Sequence, residues 1–112
     1  MIDEGINNIL RNATLAVAKE QEVTAKTCSK GVLYKLRAMF SKKTFLEHQI
    51  CMNIGVLKSF DVGIGILENG KRLYKTDPDA IKELEDGILL FKDLKEQWEK
   101  NLRRLKVHQN IL

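Results

Sequence analysis

Apolar residues recur along most of this chain at alternating three- and four-residue steps, the spacing of one face of an α-helix. The row is clearest over 77–107. Ile81, Leu84, Ile88, Phe91, Trp98, Leu102 and Leu105 form a heptad seam in which Lys95 is the one polar member. Asp77-Pro78-Asp79 makes a sharp start: Asp77 can cap the helix, and Pro78 suits its first position, where an N–H has no partner to lose. Asp79, Glu83, Glu85 and Asp86 sit near the positive end of the helix dipole. Lys100, Arg103, Arg104 and Lys106 sit near the negative end, and Glu96–Lys100 and Glu99–Arg103 are spaced as i,i+4 pairs. Such a helix is about 45 Å long at ~1.5 Å per residue and needs packing partners along its length. Leu89, Leu90 and Leu94 widen the apolar face beyond a two-helix seam, toward a bundle of three or four helices.

Earlier in the chain the same spacing predicts a first helix over 3–26. Its row is Ile2, Ile6, Ile9, Ala13, Ala16 and Val23, with Glu20 as the exception; Leu10 and Val17 broaden it. The small alanines permit a close neighbour. Cys28-Ser29-Lys30-Gly31 is a break, and 32–40 reads as a short helix. Thr44-Phe45-Leu46-Glu47 has the form of a capping box, opening a helix from Phe45 to at least Phe60.

Beyond Phe60 two structures compete. A β-hairpin over 61–75 is suggested by the alternation of Val62, Ile64 and Ile66 and by Asn69-Gly70, a type I′ turn pair. Against it, Leu46, Ile50, Asn53, Leu57, Phe60, Ile64, Leu67, Lys71 and Tyr74 keep one unbroken heptad phase, and a lone hairpin is marginal in water. The helix is preferred. Gly63 and Gly70, seven residues apart, then form a flat strip for a tightly packed neighbour. The expected fold is all-α: one domain over 1–112, an antiparallel helical bundle built on a long helical hairpin that turns at 75–77. The alternative is an α+β fold with a hairpin at 61–75.

Composition changes this picture little. The chain has 112 residues, 30% of them charged and 44% hydrophobic, with one proline, which suits a modest helical core and not a β-sandwich or barrel. The longest apolar run, 62–67, is short and glycine-rich, so no membrane span is expected. With no secretory h-region before the first helix, an intracellular, reducing compartment (cytoplasm or nucleus) is expected, with Cys28 and Cys51 as buried thiols.

Candidate chemistry is sparse. His48 and Cys51 are three apart on one face, but two ligands are too few for a metal site. Ser29, Ser41 and Ser59 lack a nucleophile-elbow setting, and Gly63, Gly65 and Gly70 do not make a dinucleotide fingerprint. No catalytic, cofactor-binding or metal residue is assigned, and the chain is not expected to be an enzyme. The net charge of +4 permits an acidic partner. An antiparallel hairpin brings Lys42 and Lys43 toward Lys100, Arg103 and Arg104, a patch suited to phosphate backbones, although the simpler reading is a solvated surface.

The leading expectation is a helical adaptor or scaffold subunit that self-associates as a homodimer or docks with partner helices. Ile81, Leu84, Ile88, Phe91, Trp98, Leu102, Leu105, Phe60 and Ile64 are its interface candidates. A small basic nucleoprotein subunit is the alternative, and a chaperone or inhibitor of one protein client the third.

Overall fold

The structure, a computed structural model, describes residues 4–28 and 41–111. The described residues form three helices: α1 (Glu4–Cys28), α2 (Lys42–Leu73) and α3 (Pro78–Ile111). There is no strand among the described residues. Residues 61–73 continue α2, and 74–76 form the turn into α3. The in-phase apolar row therefore prevails over the Asn69-Gly70 turn signal, because α2 buries that row between two neighbours. The short helix expected at 32–40 lies outside the described residues.

Local signals fix most helix ends. Asp77 Oδ1 accepts the Ala80 N–H at 3.2 Å, capping α3 as its sequence implies. The turn is closed by the Asp77 N–H donating to the Tyr74 carbonyl at 2.9 Å. At α2 the expected capping box is displaced. Ser41 is the N-cap, in extended backbone, and its Oγ accepts from the Thr44 N–H at 3.3 Å. Thr44 thus lies inside the first turn. Serine is as good a cap as threonine, and choosing it makes the helix one turn longer.

α2 is the central element, packed against both α1 and α3. Both neighbours run antiparallel to it, in registers that paired residues make plain. On the α1 side, Ile9 meets Gly70, Val17 meets Gly63, Thr24 meets Gly55, and Cys28 is bonded to Cys51. On the α3 side, Lys71 pairs with Glu85, Asp61 with Lys95, and Asn53 with Asn101. The body measures 55 × 27 × 19 Å, so the longest helices run its full length.

The α1 contact depends on absent side chains. A Cβ built on Gly63 would lie 2.6 Å from Val17 Cγ2 and 3.1 Å from Phe91 Cε2. One on Gly70 would lie 2.9 Å from Ile9 Cγ2, and one on Gly55 would run into the Thr24 side chain. The strip read from Gly63 and Gly70 is present and extends to Gly55. Ala13 lies fully buried on the facing helix. Glycine costs α2 about 1 kcal/mol per site in helix propensity; close packing of α1 offsets it. Gly65, by contrast, has open space where a Cβ would stand.

Two buried clusters form the core. Near the turn, Ile6, Ala13, Leu67, Ala80, Leu84 and Ile88 draw on all three helices. Farther along, Val17, Val56 and Phe60 form a smaller cluster flanked by Phe91, Leu94 and Trp98. Leu89 and Leu90 do not join either: each is 58% exposed. They lie off the α2-facing seam, and among the described residues no helix covers that side. Val23, expected in the α1 row, is likewise exposed, and Val17 is buried.

The cysteines correct a further expectation. Cys28 and Cys51 form a disulfide, with their Cα atoms 5.9 Å apart. The antiparallel register places the end of α1 opposite Cys51, a proximity that 23 residues of sequence separation do not reveal. The bond argues against a reducing compartment.

α2 bears on the expectation about membranes. It is the one helix among the described residues long and apolar enough, by length and composition, to cross one, with an 18-residue window of mean hydropathy 1.6. The unbroken helix around 62–67 lengthens the run. A core helix meets the same criterion, and 39% of this window is buried inside the bundle.

Glycine replacements on α2 should divide by face. Gly63→Val should destabilise the fold by roughly 1–3 kcal/mol through overpacking, whereas Gly65→Ala should stabilise it by up to about 1 kcal/mol. Urea denaturation reads both, and equal effects would contradict the packing described. Cys28→Ser should cost about 3 kcal/mol on the chain-entropy estimate for a loop of this size, measured the same way under non-reducing conditions.

Candidate interaction surface

The interface residues proposed from sequence divide along α3. Leu84 and Ile88 are buried, and Ala80 with them; after Ile88 no described residue of α3 is buried. Ile81, Phe91, Trp98, Leu102 and Leu105 are half-buried. On α2, Phe60 is buried and Ile64 half-buried. α1 shows the same division, with no buried residue between Val17 and Cys28. The bundle is a three-helix core near the turn. Toward its far end the described seam of α3 is only half-buried, beside a shallow groove lined by Gln97, Trp98 and Asn101.

The α3 wall continues the heptad that meets α1 near the turn. Leu84 and Phe91 pack in the clusters that α1 helps to form. Trp98, half-buried at the edge of the Val17–Val56–Phe60 cluster, and Leu105 follow at the same spacing. Gln97, Trp98 and Asn101 line a shallow cleft of about 270 Å³ there. On α1 at this level the Gln21 side-chain amide donates to Ser59 Oγ at 3.2 Å.

The polar residues interrupting the apolar rows are paired across the hairpin. Asn53 is 1% exposed; its amide donates to the Gln49 carbonyl at 3.0 Å, and its Oδ1 accepts from Asn101 Nδ2 at 3.1 Å. Lys71 lies 3.2 Å from Glu85. Lys95 donates to Asp61 Oδ1 at 2.7 Å, and this hydrogen bond and the carboxylate charge raise the Lys95 pKa against a smaller opposing effect of desolvation. The three pairs are one register read three times, so a slip of the hairpin breaks all of them. Of the two i,i+4 pairs expected on α3, Glu96–Lys100 forms at 3.7 Å. Glu99 lies near enough to Lys95 to add to its raised pKa.

The expected basic patch is partly assembled. Lys42 shares a cleft of about 300 Å³ with Phe45, Leu46, His108 and Ile111. Lys100, Arg103 and Arg104 line one of about 380 Å³ with Val107 and His108. His108 belongs to both walls. Lys43 is exposed beside Lys42 and lines neither cleft. The sequence reading found the cations; it missed the apolar side chains among them, because Phe45, Val107 and Ile111 stand outside the seams it traced.

His48 and Cys51 do not form a ligand pair. Cys51 is in the disulfide, and His48 Nδ1 lies 3.2 Å from the Cys28 carbonyl, to which it donates when protonated there. Among the described residues no three His, Cys, Asp or Glu side chains are grouped to hold a metal ion. Compared with known proteins, the sequence matches no family model, no curated protein and no solved structure.

Removing the partners of the register should have unequal effects. Asn53→Leu leaves Asn101 without its partner and forces a larger apolar group into a buried polar site; it should cost about 1–3 kcal/mol in chemical denaturation. Lys95→Met should cost no more than about 1 kcal/mol at neutral pH, since the ion pair is partly exposed. Because the folded pKa of Lys95 is raised, its contribution is complete below the ordinary lysine range and is lost as pH rises through the raised value. Wild type and Lys95→Met should therefore converge in stability at alkaline pH.

Proposed function

We propose that the protein is a non-enzymatic helical assembly subunit whose groove at the far end of the bundle receives the matching face of a second copy. The observation carrying this reading is the abrupt loss of burial along α3. The seam remains apolar through Phe91, Leu94, Trp98, Leu102 and Leu105, yet only its first part, to Ile88, is enclosed. The half-buried seam beyond Ile88 leaves surface for a further helix, and a two-fold partner supplies it with the same residues from each side. The neutral lining of Gln97, Trp98 and Asn101 suits a helix surface better than a polyanion. Trp98 is the natural anchor, being large and at the centre of the open stretch.

The disulfide bears on where such assembly takes place. Cys28–Cys51 favours a compartment in which disulfides persist over the cytoplasm or nucleus.

Light scattering on the purified chain should show a dimer, and Trp98→Lys should return it to a monomer while circular dichroism keeps the wild-type helix content. A wild-type protein that stays strictly monomeric at high concentration would remove the reading, as would a Trp98→Lys variant that still dimerises.

A further inference from the structure

The far end of the bundle has a second character, independent of the groove. α1 ends at Cys28, tied to Cys51, and Lys42 to Leu46 of α2 continue past it beside the last turns of α3. Phe45, Val107 and Ile111 stand exposed there, by 49%, 58% and 76% respectively. Around them are Lys42, Lys100, Arg103, Arg104 and His108, in two clefts that share His108 and include no carboxylate. From residue 100 to 112 the chain contains no Asp or Glu. Lys100, Arg104, Val107 and Ile111 follow one another at three- and four-residue steps, so cations and aliphatic groups share one outward stripe of α3.

That mixture discriminates between polyanions. A nucleic-acid backbone rewards the cations but has nothing to offer exposed Val107 and Ile111, and Phe45 alone makes no base-stacking row. A bilayer containing anionic lipid rewards both: the cations lie among headgroup phosphates and carboxylates, and the apolar side chains enter the acyl boundary. The opposite end of the 55 Å body is different. Leu73 is exposed there too, but the charges around the turn are mixed: Arg72, Lys75 and Lys82 alternate with Asp77, Asp79, Glu83 and Glu85, and Lys71 is paired to Glu85. A negative surface therefore favours the far end, where the cations stand without carboxylates among them.

We propose that the end of the bundle formed by Lys42, Phe45, Arg103, Arg104, Val107 and Ile111 is a docking site for an anionic phospholipid surface. The bundle lies against the headgroups and spans nothing.

Co-sedimentation of the whole chain with phosphatidylcholine vesicles, with and without phosphatidylserine, tests this. Binding should require phosphatidylserine and fall as salt is raised. The combined substitutions Lys42→Glu, Arg103→Glu and Arg104→Glu should weaken it ~100-fold or more. Phe45→Ser with Ile111→Ser, which leaves every charge in place, should weaken it about tenfold. All five side chains are exposed, and unchanged circular dichroism identifies folded variants. The proposal is overturned by no binding to phosphatidylserine vesicles at low salt, or by full binding of the Phe45→Ser, Ile111→Ser protein. Preferential binding of duplex RNA or DNA that this variant retains also overturns it, and assigns the cations to a nucleic acid.

Discussion

The close approach of α1 to α2 is the constraint from which the rest of this fold follows. Two helices carrying ordinary side chains keep their axes about 8–10 Å apart. Here Gly55, Gly63 and Gly70 present bare backbone to Thr24, Val17 and Ile9. The spacing of those glycines sets the register, and the register in turn places Cys28 opposite Cys51 and Gln21 opposite Ser59. A side chain on the strip does more than crowd one neighbour. Gly63 also looks onto Phe91, so widening it separates α1 and α3 from their common support.

Around that constraint the two faces of α2 are built in contrasting ways. Toward α1 the contact is small, apolar and covalently closed. Toward α3 it combines large apolar residues with Asn53–Asn101, Asp61–Lys95 and Lys71–Glu85. None of these pairs adds much stability by itself, since two are partly exposed ion pairs. Their value lies in specificity, because heptad rows alone tolerate a shift by seven residues. A polar pair does not, since its members would then face apolar groups. Stability and alignment are thus supplied by different residues of the same helix.

Much of this was legible in the sequence. Asp77-Pro78 marked the start of α3, the heptad phase through 46–74 identified α2 in spite of four glycines, and Gly63 and Gly70 pointed to a close neighbour. Periodicity shows which residues share a face, but not which neighbour covers it or how far that neighbour extends. Hence Leu89 and Leu90 widen the apolar face in the sequence but stand exposed in the fold, and Trp98 and Leu105 share a row with Leu84 although their surroundings differ. The disulfide was hidden for the same reason: it depends on a register between helices, and no local signal reports that. The basic patch was half visible. Its cations follow from an antiparallel hairpin, but Phe45 and Ile111 acquire meaning only once α1 is seen to end at Cys28.

The Cys28–Cys51 bond has a consequence for how α1 can part from the bundle. α1 is held by the glycine strip along its length and by a covalent bond at its last residue. Local opening of α1 therefore starts from the Glu4 end, where Ile6 enters the core, and travels toward Cys28 as a hinge that does not let go.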